Sequence, residues 1–124
     1  MAVTRFEITS RQDYDGGTSF GETGPYERVD GILHYAVDAE NERNQQIVDL
    51  EHCPRDEQGR VTFSGDFTLL LPKNPRSDGH PLLLELPNRG RRTLLRSVHR
   101  APADSGTDPS FPAGDGFLLR HGFI

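Results

Sequence analysis

Seven residues bounded by prolines, Pro81 to Pro87, constrain the fold of this chain more than any other stretch. The run is a nearly uninterrupted series of leucines, and apolar runs without polar alternation are typical of strands buried on both faces. Such strands belong mostly to sheets that helices cover on each side. Gly90 follows within a few residues and marks a sharp exit from the carboxyl end of the strand, where open α/β sheets build their sites. The sequence therefore predicts one buried strand over residues 82–86.

In the first half of the chain, apolar and polar residues alternate with a period of two. Phe6 and Ile8 alternate with charged neighbours, and the alternation is longer over residues 28–38 and 61–71. In these two long stretches one face carries Val29, Gly31, Leu33, Tyr35 and Val37, and Val61, Phe63, Phe67, Leu69 and Leu71. A shorter strand is predicted over residues 47–50, before a turn at residues 56–59. The pattern predicts half-buried antiparallel strands with one face on the core and the other in water.

The last predicted element is a short helix over residues 115–122. Asp115 suits the N-terminal cap, Arg120 and His121 suit the negative C-terminal end, and Gly122 suits the left-handed cap position.

The order of these elements indicates a βαβ unit that the chain does not complete. Such a unit consists of a buried strand, a crossover with a helix, and a second parallel strand. Here the second strand is expected to begin at Phe123, and the sequence stops at Ile124. We therefore expect residues 1–124 to be the N-terminal portion of one larger domain. Its expected parts are an antiparallel β region (1–80), a buried strand with its loop (81–98), and a long loop, short helix and strand start (99–124).

Composition excludes several classes of protein. A net charge of −5 argues against a nucleic-acid binder held by phosphate contacts. Cys53 is the single cysteine, so no internal disulfide demands an oxidising compartment. The N-terminus lacks the apolar region of a signal peptide, and no stretch approaches the ~18 apolar residues of a membrane helix. We expect a cytoplasmic protein that binds neither nucleic acid nor membrane; the sequence does not indicate an oligomeric state.

Residues 17–21 match the G-x-S-x-G pattern of a nucleophile elbow, with Ser19 at its centre. That motif requires a buried strand before the serine and a helix after it. Glycine and polar residues lie on both sides here, so the sequence favours a coincidental match in a loop.

No metal or cofactor site is indicated. The histidines do not pair at metal-ligand spacing, and His52 is directly adjacent to Cys53 instead of one turn away. Ordinary surface or loop histidines are the favoured interpretation. Cys53 precedes Pro54 in a predicted turn and has no predicted base beside it.

The loop Asn88-Arg89-Gly90 is the candidate site within the chain. Backbone N–H groups after such a strand can face a developing oxyanion, and glycine permits close approach; a plain strand-ending turn is the alternative. A local basic cluster surrounds this loop, and a solvated stretch is favoured there over a site for an anionic substrate group. Its members are Arg89, Arg91, Arg92, Arg96 and Arg100.

Several segments, in this order, resemble the N-terminal part of the alpha/beta hydrolase domain-containing family of bacterial hydrolases. The more specific are Pro87-Asn88-Arg89-Gly90 and the stretch from Gly114 to Phe123. Supporting segments are Gly24-Pro25-Tyr26-Glu27-Arg28, Ile47-Val48-Asp49-Leu50, Cys53-Pro54-Arg55 with Gly59, and Ser64-Gly65-Asp66-Phe67. The resemblance covers nearly the whole chain but only the beginning of the family's domain.

The resemblance implies a truncated α/β hydrolase fold and hydrolysis of a small-molecule ester or amide by a serine nucleophile in the full-length protein. It implies an oxyanion-hole N–H from Asn88, Arg89 and Gly90, whereas nucleophile, acid and base are expected beyond Ile124. The chain by itself is then expected to be inactive. Two alternatives remain: a self-contained β-rich binding or interaction module without catalysis, and a regulatory fragment that docks onto another hydrolase subunit.

Overall fold

The structure is a computed structural model, and it describes residues 2–87, 93–102 and 111–124. Regular elements in these residues are β1 (Ala2–Asp13), β2 (Ser19–Phe20), β3 (Gly24–Asp38), β4 (Arg60–Pro72), α1 (Leu94–His99) and α2 (Phe117–Arg120). The chain divides into two compact units. We call Met1–Ser10 with Val29–Thr68 the sheet unit, and Arg11–Arg28 with Leu69–Ile124 the helical unit.

The strands form a four-stranded sheet in which β3 pairs with each of the others. Ser19 of β2 lies opposite Pro25 in an antiparallel pair. The Thr4 hydroxyl donates to the carbonyl of His34 and the Thr9 hydroxyl to that of Asp30, both at 3.2 Å, so β1 and β3 also run in opposite directions. The three long strands are the three stretches that alternate in sequence, and this part of the prediction is confirmed.

The core of the sheet unit lies at one end of its strands. Val37, Leu50 and Val61 are buried there, with Ala39 and Cys53 packed against them. Arg55 and Val61 form an antiparallel bridge across the predicted turn, where Gly59 has a φ of +76°. That positive φ explains why glycine closes this turn.

The helical unit is built around two tyrosines. Its buried cluster consists of Tyr14, Phe20, Tyr26, Ala113 and Leu119. The Tyr26 hydroxyl lies 3.1 Å from the carbonyl oxygen of Leu119 and 3.0 Å from that of Phe123, so it ties β3 to the segment that carries α2. α2 lies within the predicted short helix but has four residues, and its N-cap is Gly116 and not Asp115. Asp115 accepts from the Phe117 N–H at 3.1 Å, and Gly122 has the expected positive φ, +76°.

The predicted fold class is wrong. The described chain is mostly antiparallel β sheet with two short helices, and it has neither the parallel sheet nor the covering helices of an α/β hydrolase. The physical reason is that α1 has six residues and α2 has four, too few to cover a sheet face.

The predicted buried strand over residues 82–86 is also wrong. This stretch has no regular secondary structure, and Leu82, Leu84 and Leu86 are 67%, 72% and 84% exposed. The segment does run parallel to the C-terminal residues, as the prediction of a second parallel strand requires. The Leu83 N–H donates to the Ile124 carbonyl (2.8 Å), and the Ile124 N–H donates to the Pro81 carbonyl (2.9 Å). That pattern is a single parallel bridge.

Two further local predictions need correction. Residues 47–50 form turns that lead into the 3₁₀ helix Leu50–His52, because Asp49 adopts a left-handed φ of 61° that ends extended structure. Helix α1 lies inside a segment expected to be strand and loop.

Candidate functional site

Two stacked aromatic pairs mark the sheet unit. The rings of Phe6 and Phe67 lie 4.6 Å apart, and those of Tyr35 and Phe63 lie 4.9 Å apart. Both separations are those of favourable aromatic contacts, which contribute about 0.5–1.5 kcal/mol beyond burial.

All four rings lie on one face of the sheet. A Cβ atom at Gly31 would meet the Phe67 ring at 2.5 Å, so this ring covers the position where a side chain at Gly31 would project. Tyr35 is four residues from Gly31 on the same strand and therefore shares that face. Phe6 and Phe63 lie on this face as well, because they stack on Phe67 and Tyr35, respectively. We call Phe6, Tyr35, Phe63 and Phe67 the aromatic face.

This face is only partly covered. Phe6 is 53% exposed, Phe63 47% and the neighbouring Ile8 50%. The sequence predicted that these side chains face a core, whereas burial in the sheet unit is concentrated around Val37 and Val61. Contiguous apolar surface of this kind is typical of sites that bind another surface.

The opposite face of the same sheet is polar. Nη2 of Arg5 lies 2.9 Å from Nε2 of His34 and forms an ion pair with the Glu7 carboxylate. The same His34 nitrogen lies 3.1 Å from Oε2 of Glu7. Nearby, the Thr68 hydroxyl donates to Asp30 at 2.6 Å. These side chains bind one another and remain partly exposed to solvent. This face of the sheet is therefore polar, whereas the other is aromatic.

An open groove of about 460 Å³ lies where β1, β3 and β4 run side by side. Its lining residues are Thr4, Arg5, His34, Tyr35, Thr62, Phe63 and Ser64. The pairs Asp30–Thr68, Gly31–Phe67 and Tyr35–Phe63 place β3 and β4 in an antiparallel register in which His34 lies opposite Ser64. Apolar and polar side chains therefore meet within one surface feature.

Most of the site residues predicted from sequence fall outside the described residues. Asn88, Arg89 and Gly90, with Arg91 and Arg92, lie outside the residues that the structure describes. Arg96 and Arg100 are exposed. The oxyanion role of the loop and the hydrolase activity stay predictions.

Ser19 does not sit in a nucleophile elbow. It lies on a two-residue strand between the 3₁₀ helices Tyr14–Gly17 and Gly21–Thr23, and it is exposed. The motif needs a buried strand and a following helix to lift the hydroxyl. The structure thus agrees with a coincidental match.

Two histidines have structural hydrogen bonds. His99 is fully buried; its Nδ1 lies 3.0 Å from the Ala113 carbonyl and its Nε2 accepts from the Leu118 N–H at 3.1 Å. Burial lowers the pKa of His99. His80 likewise joins the Arg76 N–H (2.9 Å) to the Gly122 carbonyl (2.7 Å). Both rings therefore connect separate segments of the chain through both of their nitrogens.

No group of three or more metal-ligating side chains occurs among the described residues. Cys53 is half-buried, packs beside Leu50 and donates weakly to the Asp49 carbonyl at 3.5 Å. Within the same residues, every helix is too short or too polar to cross a bilayer.

Comparison with family models, with curated proteins and with solved structures finds no match to this chain. The resemblance to the hydrolase family therefore stays a prediction.

The aromatic face is the feature that sequence reasoning missed. Tyr35, Phe63 and Phe67 were placed on the apolar sides of their strands, which the geometry supports. The available signal was composition: hydrophobic residues make up 33% of the chain, a small supply for covering the apolar faces of several strands.

Proposed function

We propose that this chain is a β-rich interaction module that binds a protein partner through its aromatic face, without catalysis. The observation that carries the proposal is the pair of ring stacks, Phe6–Phe67 and Tyr35–Phe63, in which Phe6 and Phe63 are half exposed. Aromatic side chains are enriched in the binding hot spots of protein interfaces because they bury much area at low entropic cost.

The chemistry around the rings supports a protein partner. The rings are held in place by their stacks, so few rotamers need to be frozen on binding. The Arg5–Glu7 ion pair lies on the opposite face, and Arg5 shares with Tyr35 and Phe63 only the lining of the groove, so few charges need to be desolvated around the rings.

A photocrosslinking amino acid at position 63, with the same group at position 66 as matched control, tests the proposal. The two positions lie three residues apart on β4, so their side chains point to opposite faces, and position 66 does not line the groove. We expect one protein to be captured from position 63 and not from position 66.

Binding of that purified protein then decides the result. Phe63→Ser should weaken binding by about 10- to 100-fold, the scale of a hot-spot residue, whereas Asp66→Asn should leave it unchanged. Equal capture at both positions, or equal affinity of both variants, contradicts the proposal.

A further inference from the structure

We infer that β1 is a dimerisation edge, which pairs in antiparallel fashion with β1 of a second copy of this chain. The inference concerns the edge of the sheet, which meets the aromatic face only at Phe6, so it goes beyond the proposed function. It is tested through Arg5 and Glu7, which point to the other face.

β1 has the properties of an open edge strand. In the described part of the chain it pairs with β3 alone, and its residues are exposed along most of its length. Exposed edge strands present unpaired N–H and C=O groups to another strand, and natural proteins usually protect them with proline, bulges or charged side chains. β1 is twelve residues long and contains no proline.

The charges on this edge are self-complementary. Arg5 and Glu7 are two residues apart and therefore point to the same face. When a two-fold axis perpendicular to the sheet passes through Phe6, each Arg5 lies opposite Glu7 of the other copy. A dimer with this symmetry gains both cross-strand pairs at once, because its interface is isologous.

The same register joins the apolar sides of the two copies. Phe6 lies opposite Phe6 of the second copy, and each is already stacked on its own Phe67. Directly opposed Cβ atoms in antiparallel strands lie ~4.5–5.5 Å apart, within reach of aromatic contact. The half-exposed Phe6 thereby gains a contact along the strand edge, while Tyr35, Phe63 and Phe67 lie away from the new interface.

Neighbouring registers are less favourable. An axis through Arg5 or through Glu7 opposes like charges directly, and an axis through Ile8 places Arg5 opposite Arg11. An axis through Thr9 would draw Arg11 and Asp13 away from Glu27 (3.3 Å) and Lys73 (2.6 Å), which lie outside β1. The axis at Phe6 instead uses Arg5 and Glu7, whose ion pair lies within β1 at the interface itself. The axis at Phe6 is the register that the charges favour.

Reciprocal charge reversal tests both the contact and its register. Arg5→Glu and Glu7→Arg each place like charges across the proposed interface, and each should weaken dimerisation by roughly tenfold or more. The two substitutions move the net charge of −5 in opposite directions, so a general charge effect would weaken one homodimer and strengthen the other.

Mixing the two variants is the decisive measurement. Arg5→Glu leaves two acidic residues at positions 5 and 7, and Glu7→Arg leaves two basic ones, so only a heterodimer restores opposite charges. Sedimentation equilibrium should show weak association of each variant alone and a 1:1 dimer in the mixture. Because the intramolecular pair is broken in both variants, recovery on mixing must come from contact between copies.

Concentration-dependent hydrogen exchange of the unmodified chain gives a second readout that needs no variant. Backbone amides of residues 3–9 should become protected as the dimer forms. A wild-type chain that stays monomeric, protection confined to other segments, or a mixture that associates no better than its components overturns the inference.

Discussion

The buried His99 imidazole accepts a hydrogen bond from the backbone N–H of Leu118 at 3.1 Å. Its other nitrogen lies 3.0 Å from the Ala113 carbonyl, so one ring satisfies two backbone groups around the start of α2. A protonated ring has no lone pair at Nε2, and protonation must break the bond to Leu118.

Stability should therefore fall in mild acid. Burial lowers the folded-state pKa of His99 below 6.5, so its contribution is present above about pH 6.5 and is lost as the pH falls toward the folded-state pKa. The slope that one proton gives is at most ~1.4 kcal/mol per pH unit. His99→Gln keeps a donor and an acceptor without this titration and should flatten the dependence in urea unfolding. The exposed His52→Gln is the control, and equal flattening by both would contradict the assignment.

A second prediction concerns Gly31 on the central strand. A Cβ atom there would lie 2.1 Å from the Glu7 carbonyl oxygen and 2.5 Å from the Phe67 ring. Gly31→Ala should therefore force β1 and the ring to move and destabilise the fold by about 1–3 kcal/mol. Gly65→Ala is the matched control: nothing lies within 4 Å of its added Cβ atom, and alanine in a strand is favoured over glycine by about 0.5–1 kcal/mol. Similar unfolding midpoints for the two variants would show that this contact is not tight.

The strands of this chain were readable from its sequence because alternation reports directly which side chains share a face. Residues 28–38 and 61–71 alternate over eleven positions each, long enough to exclude a helix. Glycines at positions 59 and 122 were also informative, since both adopt the positive φ that their turns require.

The run at residues 82–86 misled because an uninterrupted apolar stretch contains no information on which face is covered. Burial there requires helices that the chain does not supply in its described part. Stacking across strands, as between Tyr35 and Phe63, depends on the register of two segments far apart in sequence, and a single sequence does not report that register.

A third prediction concerns the start of α1. Oε1 of Glu85 accepts from the backbone N–H groups of Thr93 (2.7 Å) and Leu94 (3.1 Å) and from the Thr93 hydroxyl (2.9 Å). A six-residue helix depends on such acceptors, because its first N–H groups have no partner within the helix. Glu85→Ala should cost about 0.5–2 kcal/mol, the range for losing a helix cap. Hydrogen exchange of the Leu94 amide should accelerate in this variant. Glu57→Ala, in an exposed turn, is the control and should leave that exchange rate unchanged. An unaltered exchange rate in Glu85→Ala would contradict the capping role of Glu85.

The purified chain should show no esterase activity above background. Ser19 lies exposed on a short strand without the strained turn that presents a nucleophile. Turnover of short-chain aryl esters by wild type and by Ser19→Ala is the test. Measurable hydrolysis that Ser19→Ala abolishes would make residues 17–21 a genuine site and contradict the proposal of a module without catalysis.

The last prediction concerns alkaline pH and Tyr26. Burial raises the pKa of this fully buried phenol from 10.0 to about 12. The contribution of the group is complete below pH 10, where folded and unfolded chains both hold the proton, and it is lost as the pH rises from 10 toward 12. Each pKa unit of difference between the folded and unfolded states corresponds to about 1.4 kcal/mol. The free energy of unfolding should therefore fall steeply with pH in this window.

Tyr26→Phe separates the hydroxyl's hydrogen bonds from its titration. At neutral pH the variant loses the contacts to Leu119 and Phe123 and should be less stable by about 0.5–1.5 kcal/mol. Between pH 10 and pH 12 its stability should fall less steeply than that of wild type, because one buried proton no longer dissociates on unfolding. Tyr35→Phe, on the partly exposed aromatic face, serves as control and should keep the wild-type slope. If Tyr26→Phe has the wild-type slope as well, Tyr26 is not the group that limits stability in alkali, and the buried Tyr14, whose pKa burial also raises, becomes the group to test.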